Sequence, residues 1–199
     1  MKVNTIGLIL AGTLAGAALA YVAMLPPGLP STATTSGMPA VGGAFQLTDQ
    51  TGKRVTEKAF LGRYMLVFFG YTHCPDICPS GLQVMSAALD KLGAAAENVT
   101  PVFITVDPER DTPALLADYT KSFHPRLVAL TGSREDIAAA AKVYRVYFQK
   151  VADANAPESY TYDHSSFFYL MGKDGKFISA IPHTTDIDDF AKKLSEALQ

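Results

Sequence analysis

Two short apolar runs, 64–69 (YMLVFF, continuous) and 102–106 (VFITV, broken only by Thr105), constrain this chain more than any other feature of it. Such runs read as strands buried on both faces of a sheet, because a strand with one wet face alternates polar and apolar side chains. Between them Leu82, Met85, Leu89 and Leu92 recur at helical spacing within 81–92. A strand, a helix and a second strand in that order predict a parallel pair. Thr112 followed by Pro113 marks a helix start, and Leu115, Leu116 and Tyr119 continue it over 112–123. Residues 127–130 read as a third strand, and Ser133 with Asp136 as a cap before an alanine-rich helix over 137–144. Strands over 167–171 and 177–181 flank Gly172-Lys173-Asp174-Gly175-Lys176, whose Asp-Gly step signals a hairpin. Ile187, Phe190, Leu194 and Leu198 share one face of a closing helix that starts near Asp186. Residues 152–160 read as irregular. The expected fold class is therefore α/β, a mixed sheet flanked by helices.

The first 43 residues are a different material. Residues 6–25 form an uncharged apolar stretch of twenty, long enough to cross a bilayer. Lys2 and the amino terminus carry the only positive charge before Lys53, which orients the N-terminus to the cytoplasm and exports the rest of the chain. The alternative is a secretory signal cleaved after Ala20 or Ala23. No Cys follows the stretch to accept lipid and no Arg-rich leader precedes it, so the simplest address is a bacterial inner membrane, single-pass, with the domain facing the periplasm. The expected organisation is a membrane anchor over 1–25, a Pro/Gly/Ser/Thr linker over 26–43 and a domain over 44–199, long enough to bury a core. A net charge of -2 without a basic run leaves no footprint for nucleic acid.

Chemistry concentrates in Tyr71-Thr72-His73-Cys74-Pro75-Asp76-Ile77-Cys78-Pro79, where the first buried strand hands over to its helix. Reactive groups collect at such carboxyl ends of strands. Pro79 has no amide hydrogen, so it belongs in the first helical turn, which puts Cys78 on or beside the helix N-terminus. The helix dipole favours thiolate there. A four-residue offset sets the two sulfurs on one side, with Cα atoms roughly 6 Å apart. The pair, which contains the only two cysteines of the chain, is suited to hold a soft metal or to cycle between dithiol and disulfide. A thiol peroxidase reading fails, since the four positions before His73 carry no Pro.

Of four histidines, His164 is the candidate third ligand, placed on a loop just before a buried strand. His73 reads as an outer or surface group, His124 as a cation at a helix end, and His183 as solvated. The loop Asp107-Pro108-Glu109-Arg110-Asp111-Thr112-Pro113 follows the second strand at the same sheet edge as Cys74. Its charges read either as internal Arg/carboxylate pairing or as support for the site or for a partner.

Taken together these motifs resemble the Sco/SenC family. The resemblance runs from about Val41 to the terminal hairpin, through Gly42-Gly43, Phe45, Leu47-Thr48, the Phe69 to Pro79 motif, Thr105 to Thr112, Leu130 to Glu135, Tyr144 to Tyr147 and Asp163-His164-Ser165. It implies a thioredoxin-like fold behind a membrane anchor, and one copper held by Cys74, Cys78 and His164. It further implies a metallochaperone that helps assemble the dinuclear copper centre of cytochrome c oxidase, with the copper-bearing subunit as partner. Two thiolates suit Cu(I), and the added imidazole lets the site hold Cu(II) as well. The alternative is a thiol-disulfide oxidoreductase that uses Cys74 and Cys78 to reduce the cysteines of the apo subunit. Other expected partners are a second periplasmic copper chaperone or a thioredoxin-like reductant.

Overall fold

The structure, a computed structural model, describes residues 40–153 and 156–199. The expected membrane span and residues 26–39 of the expected linker lie outside the described residues. No described helix is long and apolar enough to cross a membrane. In chain order the elements are β1 (Gln46–Asp49), β2 (Arg54–Thr56), β3 (Tyr64–Gly70), α1 (Ile77–Leu92), β4 (Val99–Thr105), α2 (Pro113–Tyr119), β5 (Val128–Thr131), α3 (Arg134–Tyr144), β6 (Phe148–Asp153), β7 (Ala156–His164), β8 (Phe167–Met171), β9 (Phe177–Pro182) and α4 (Ile187–Ala197). Seven strands form one sheet in the order β2-β1-β5-β4-β3-β8-β9, and β6 pairs with β7 alone. The β3/β4 and β4/β5 pairs are parallel and the outer pairs antiparallel, so the sheet is mixed as expected.

Register explains the layers. Phe68 lies opposite Phe103 on β4 and Phe168 on β8, so these three rings share one face of the sheet. Helix α1 covers that face at close range: a Cβ on Gly81 would stand 3.1 Å from the Phe68 ring. Phe190 of α4 stacks on Phe168 with centroids 4.7 Å apart, and Tyr119 of α2 approaches Phe103 at 5.8 Å. The next residue of β3, Phe69, turns to the opposite face and meets Tyr144 of α3 at 5.4 Å. The result is helices on both faces of one buried sheet.

The helix starts obey local rules. Thr112 Oγ1 accepts from the Leu115 amide, Ser133 and Asp136 make a reciprocal capping box, and Asp186 accepts from the Asp188 amide. Three features differ from the sequence reading. Of the stretch read as irregular, residues 152 and 153 belong to β6 and residues 156–160 to β7, with a break in register at Ala152/Asp153, so His164 ends a strand instead of sitting on a loop. The short β1/β2 hairpin has no counterpart in the sequence reading, because only Leu47 among its residues is fully buried and strands of four and three residues are too brief to show a period. Residues 40–43, assigned to the linker by composition, are fixed to the domain: the Gly42 amide donates to Val143 O at 2.8 Å, and Val41 packs on the core.

Phe190→Ala should remove about 3–5 kcal/mol of stability, the usual cost of an emptied aromatic core site. Urea unfolding of the variant checks this, and a loss under about 1 kcal/mol would mean that α4 is not part of the core.

Candidate metal centre

The turn after β3 is built by backbone and by one absent side chain. The Cys74 amide donates to Tyr71 O at 3.3 Å, and the Val106 amide donates to Gly70 O at 2.8 Å. Gly70 leaves room that no other residue would: a Cβ there would stand 2.7 Å from Cys78 Sγ and 2.9 Å from the Phe103 ring. Helix α1 begins at Ile77, so Cys78 and Pro79 fall in its first turn, as the missing amide hydrogen of Pro79 predicts. The N-cap residue Asp76 makes no side-chain capping bond. The sulfur of Cys74 takes that role by accepting the otherwise orphaned Cys78 amide at 3.4 Å. Both cysteines are free thiols, Cys78 fully buried and Cys74 partly exposed.

These surroundings divide the pair. A hydrogen bond from the Cys78 thiol, helped by the amides of Asp76 and Cys78, outweighs burial and holds the Cys74 thiol far below its ordinary range. Donating that bond, being buried and facing the Cys74 charge push the Cys78 thiol up. At neutral pH, Cys74 is the thiolate and Cys78 keeps its proton.

His164 reaches the sulfurs from the separate hairpin. Its Nδ1 lies 3.0 Å from the Ser165 carbonyl, which can only accept, so in the neutral ring Nδ1 carries the proton. Nε2 then points its lone pair at Cys78 Sγ, 3.5 Å away. That gap is shorter than a metal–sulfur plus a metal–nitrogen bond, about 4.3 Å in sum, so one ion can bond both atoms. A carbonyl that fixes the far nitrogen of an imidazole is the usual outer support of a ligating histidine. Among the described residues no group of three or more His, Cys, Asp or Glu side chains is already spaced for an ion. Cys74 and Cys78 instead share a hydrogen bond that an ion would replace, and His164 Nε2 stands 3.5 Å from Cys78 Sγ.

The remaining histidines stand elsewhere. His73 is half exposed and its Nδ1 lies 3.1 Å from Thr72 Oγ1. His124 departs from the sequence reading: its ring is nearly buried, Nδ1 accepts from the Arg126 amide, and burial together with the Arg126 charge lowers its pKa, so it is not a capping cation. His183 is half buried rather than solvated, and its Nδ1 lies 3.1 Å from Ser166 O, beside the segment that follows His164.

The sequence left the charges of the Asp107 to Pro113 loop open between internal pairing and support for the site or a partner, without singling out Asp111, which holds the cysteine turn. Asp111, with no solvent exposure, accepts from the Thr72 amide at 3.0 Å and from the hydroxyls of Thr72 and Thr105 at 2.5 Å each. Burial nevertheless raises its carboxyl pKa. The signal was an acidic residue immediately before a capping Thr-Pro step, which reads as ordinary helix-start polarity.

Gly70→Ala should cost about 1–3 kcal/mol through overpacking and displace the Cys78 sulfur; unfolding and thiol titration check it, and a wild-type profile would refute the cradle. A monofunctional alkylating reagent should modify Cys74 of the folded, reduced protein with a rate that stays high well below about pH 8, because the reactive thiolate persists there, while Cys78 reacts only on unfolding. A Cys74 rate that falls about tenfold per unit below about pH 8 would contradict the asymmetry.

Comparison with known proteins agrees with this architecture. A family model described as SCO1/SenC matches residues 33–199. The protein sco1 of Schizosaccharomyces pombe is 44% identical over 162 residues, 80% of this chain and 62% of the relative. The chain spans between about half and three fifths of the length of such curated relatives. The structure of Bradyrhizobium japonicum ScoI with copper bound superposes with a TM-score of 0.72 at 46% identity, covering 79% of this chain and 99% of that one. BsSco, described with a disulfide switch and as a member of the Sco family of cytochrome c oxidase assembly proteins, gives 0.62 at 27% identity, covering 81% and 95%. The chain belongs to the SCO1/SenC family.

Proposed function

We propose that this protein binds one copper ion through Cys74, Cys78 and His164 and delivers it to the dinuclear copper centre of cytochrome c oxidase. The observation that carries this reading is the imidazole: a hairpin outside the main sheet brings an Nε2 lone pair to 3.5 Å from a buried cysteine sulfur. A dithiol redox site has no need of it. Two soft sulfurs and one nitrogen form a low-coordinate set for Cu(I) that Cu(II) also accepts, whereas zinc would want a fourth ligand. The copper-bound relative supports the choice of metal. In this reading residues 6–25 anchor the protein in the bacterial inner membrane, residues 26–39 tether it, and the domain works in the periplasm beside the membrane-embedded oxidase.

A second reading draws on the asymmetry of the thiols. The Cys74 thiolate attacks a disulfide of the apo subunit, and Cys78 then loses its proton and displaces the mixed disulfide. Two electrons pass to the subunit, and Cys74 and Cys78 end as a disulfide. The disulfide switch described for BsSco favours this chemistry. Both activities use the same sulfurs, and they separate at His164.

Cys74→Ala or Cys78→Ala should abolish tight copper binding under a competing chelator, since two donors remain. His164→Ala should keep weaker Cu(I) binding and weaken or shift the Cu(II) thiolate absorption band, while disulfide exchange with a small disulfide continues at near its normal rate. In cells, His164→Ala should fail to mature the oxidase copper centre at limiting copper, with partial rescue by added copper. Normal maturation by His164→Ala where Cys74→Ala fails would replace the copper carrier with the thiol reductant.

A further inference from the structure

His164 is held by contacts that lie far from it along its own strand. Alternate residues of a strand share a face. On β7 these are Tyr160, Tyr162 and His164, and each meets the main domain: Tyr160 meets Asp107 and Arg110, Tyr162 meets Tyr71 at 5.6 Å, and His164 meets Cys78. Tyr71 borders His164 as well, with ring centroids 6.0 Å apart. The hairpin makes no ladder with the seven-stranded sheet, so side chains along this face determine how it sits.

The fastening converges on Tyr160. The Arg110 guanidinium lies 3.8 Å from its ring centroid and the Lys150 ammonium 3.6 Å. Cations over an aromatic face are attracted by its quadrupole, more strongly when partly desolvated. The Tyr160 hydroxyl donates to Asp107 Oδ1 at 3.0 Å, and its carbonyl accepts from Arg110 Nη1 at 3.3 Å. Arg110 Nε donates to the other oxygen of Asp107, a carboxylate with no solvent exposure. The same guanidinium stands 5.9 Å from the Tyr71 centroid. Lys150 continues outward to Glu109, which also pairs with Arg134 of α3.

We propose that Arg110 is the positioning residue for His164: by clamping Tyr160 against Asp107 it fixes where the hairpin sits and so holds the imidazole over Cys78. One planar fork meets a carboxylate, a carbonyl and a ring together, which an ammonium cannot do. The sulfurs hang from the turn after β3 and from α1, and none of the clamp's side-chain contacts reaches either cysteine. The clamp therefore acts on one donor of three. It sets how much more firmly the site holds Cu(II), which needs the imidazole, than Cu(I), which two thiolates satisfy. This inference rests on the three-donor reading above.

The test uses the full chain in detergent with reduced thiols, and compares Arg110→Lys, Tyr160→Leu and His164→Ala. Arg110→Lys keeps a cation for buried Asp107, so the fold is spared the unpaired charge. Competition with chelators should show Cu(II) affinity lowered on the order of 10–100-fold in both clamp variants, the range for loss of an outer support, with a clearly smaller loss for Cu(I). Adding either clamp change to His164→Ala should cost nothing further, because without the imidazole the clamp has no donor to place. Without metal, the proton NMR cross-peak between the Tyr71 and His164 rings should disappear in both clamp variants. Clamp variants that bind Cu(II) as tightly as wild type, while His164→Ala does not, would overturn the inference and leave the three-donor reading standing. Unchanged Cu(II) binding by His164→Ala would overturn the three-donor reading instead, and the NMR cross-peak would still decide whether Arg110 positions the ring. Equal losses of Cu(I) and Cu(II) affinity would also overturn the inference, since the clamp would then act on the whole fold.

Discussion

Asp111 accepts hydrogen bonds from the Thr72 amide, the Thr72 hydroxyl and the Thr105 hydroxyl while wholly out of solvent. Through that carboxylate the cysteine turn, the end of β4 and the start of α2 become one unit. Removing a carboxylate from water costs several kcal/mol, and hydrogen bonds from fixed dipoles offset part of it. The raised pKa of Asp111 shows that burial outweighs the bonds it accepts. What the arrangement provides is position: Thr72 is fixed two residues before Cys74, so the reactive turn, which on its own would have the freedom of any surface loop, stands at a defined place over the start of α1.

From that fixed turn the thiol asymmetry arises with little further help. Cys74 Sγ lies where α1 presents its free Cys78 amide, and Gly70 opens the space behind it for Cys78 Sγ. A thiolate at this point takes over the work of a capping oxygen, which is why Asp76 is left without a capping contact. Helix geometry and the missing Cβ at Gly70 thus place one sulfur at the surface and one in the core.

The parts of this arrangement legible in the sequence are those governed by neighbours along the chain. Pro79 announces the first turn of α1, Thr112-Pro113 and Ser133 with Asp136 announce two more helix starts, and the apolar runs of β3 and β4 announce the buried sheet. The pairing of Cys74 with Cys78 is local for the same reason. What was not legible depends on partners far away. Asp111 looks like helix-start polarity until Thr72, thirty-nine residues earlier, is seen to donate to it. His124 looks like a capping cation until tertiary packing buries it and leaves its Nδ1 accepting from a backbone amide. The β6/β7 hairpin shows its period in Tyr160, Tyr162 and His164, but the alternation joins aromatic to imidazole rather than aliphatic residues. A reading tuned to hydrophobic strands passes over it.

The hairpin also accounts for a division within the candidate centre. The two sulfurs belong to the main sheet and its first helix, whose packing is continuous with the core from Phe68 to Phe190. The imidazole belongs to a two-stranded sheet, and two strands alone are marginally stable in water. Its place is therefore set by side-chain contacts such as those of Tyr160 with Arg110 and of Tyr162 with Tyr71, rather than by a backbone ladder. A hard-packed dithiol with a separately docked nitrogen allows the third donor to change without disturbing the first two. The proposed metal delivery needs that donor and the proposed thiol exchange does not, and a fold that mounts it on its own element lets both use one pair of sulfurs.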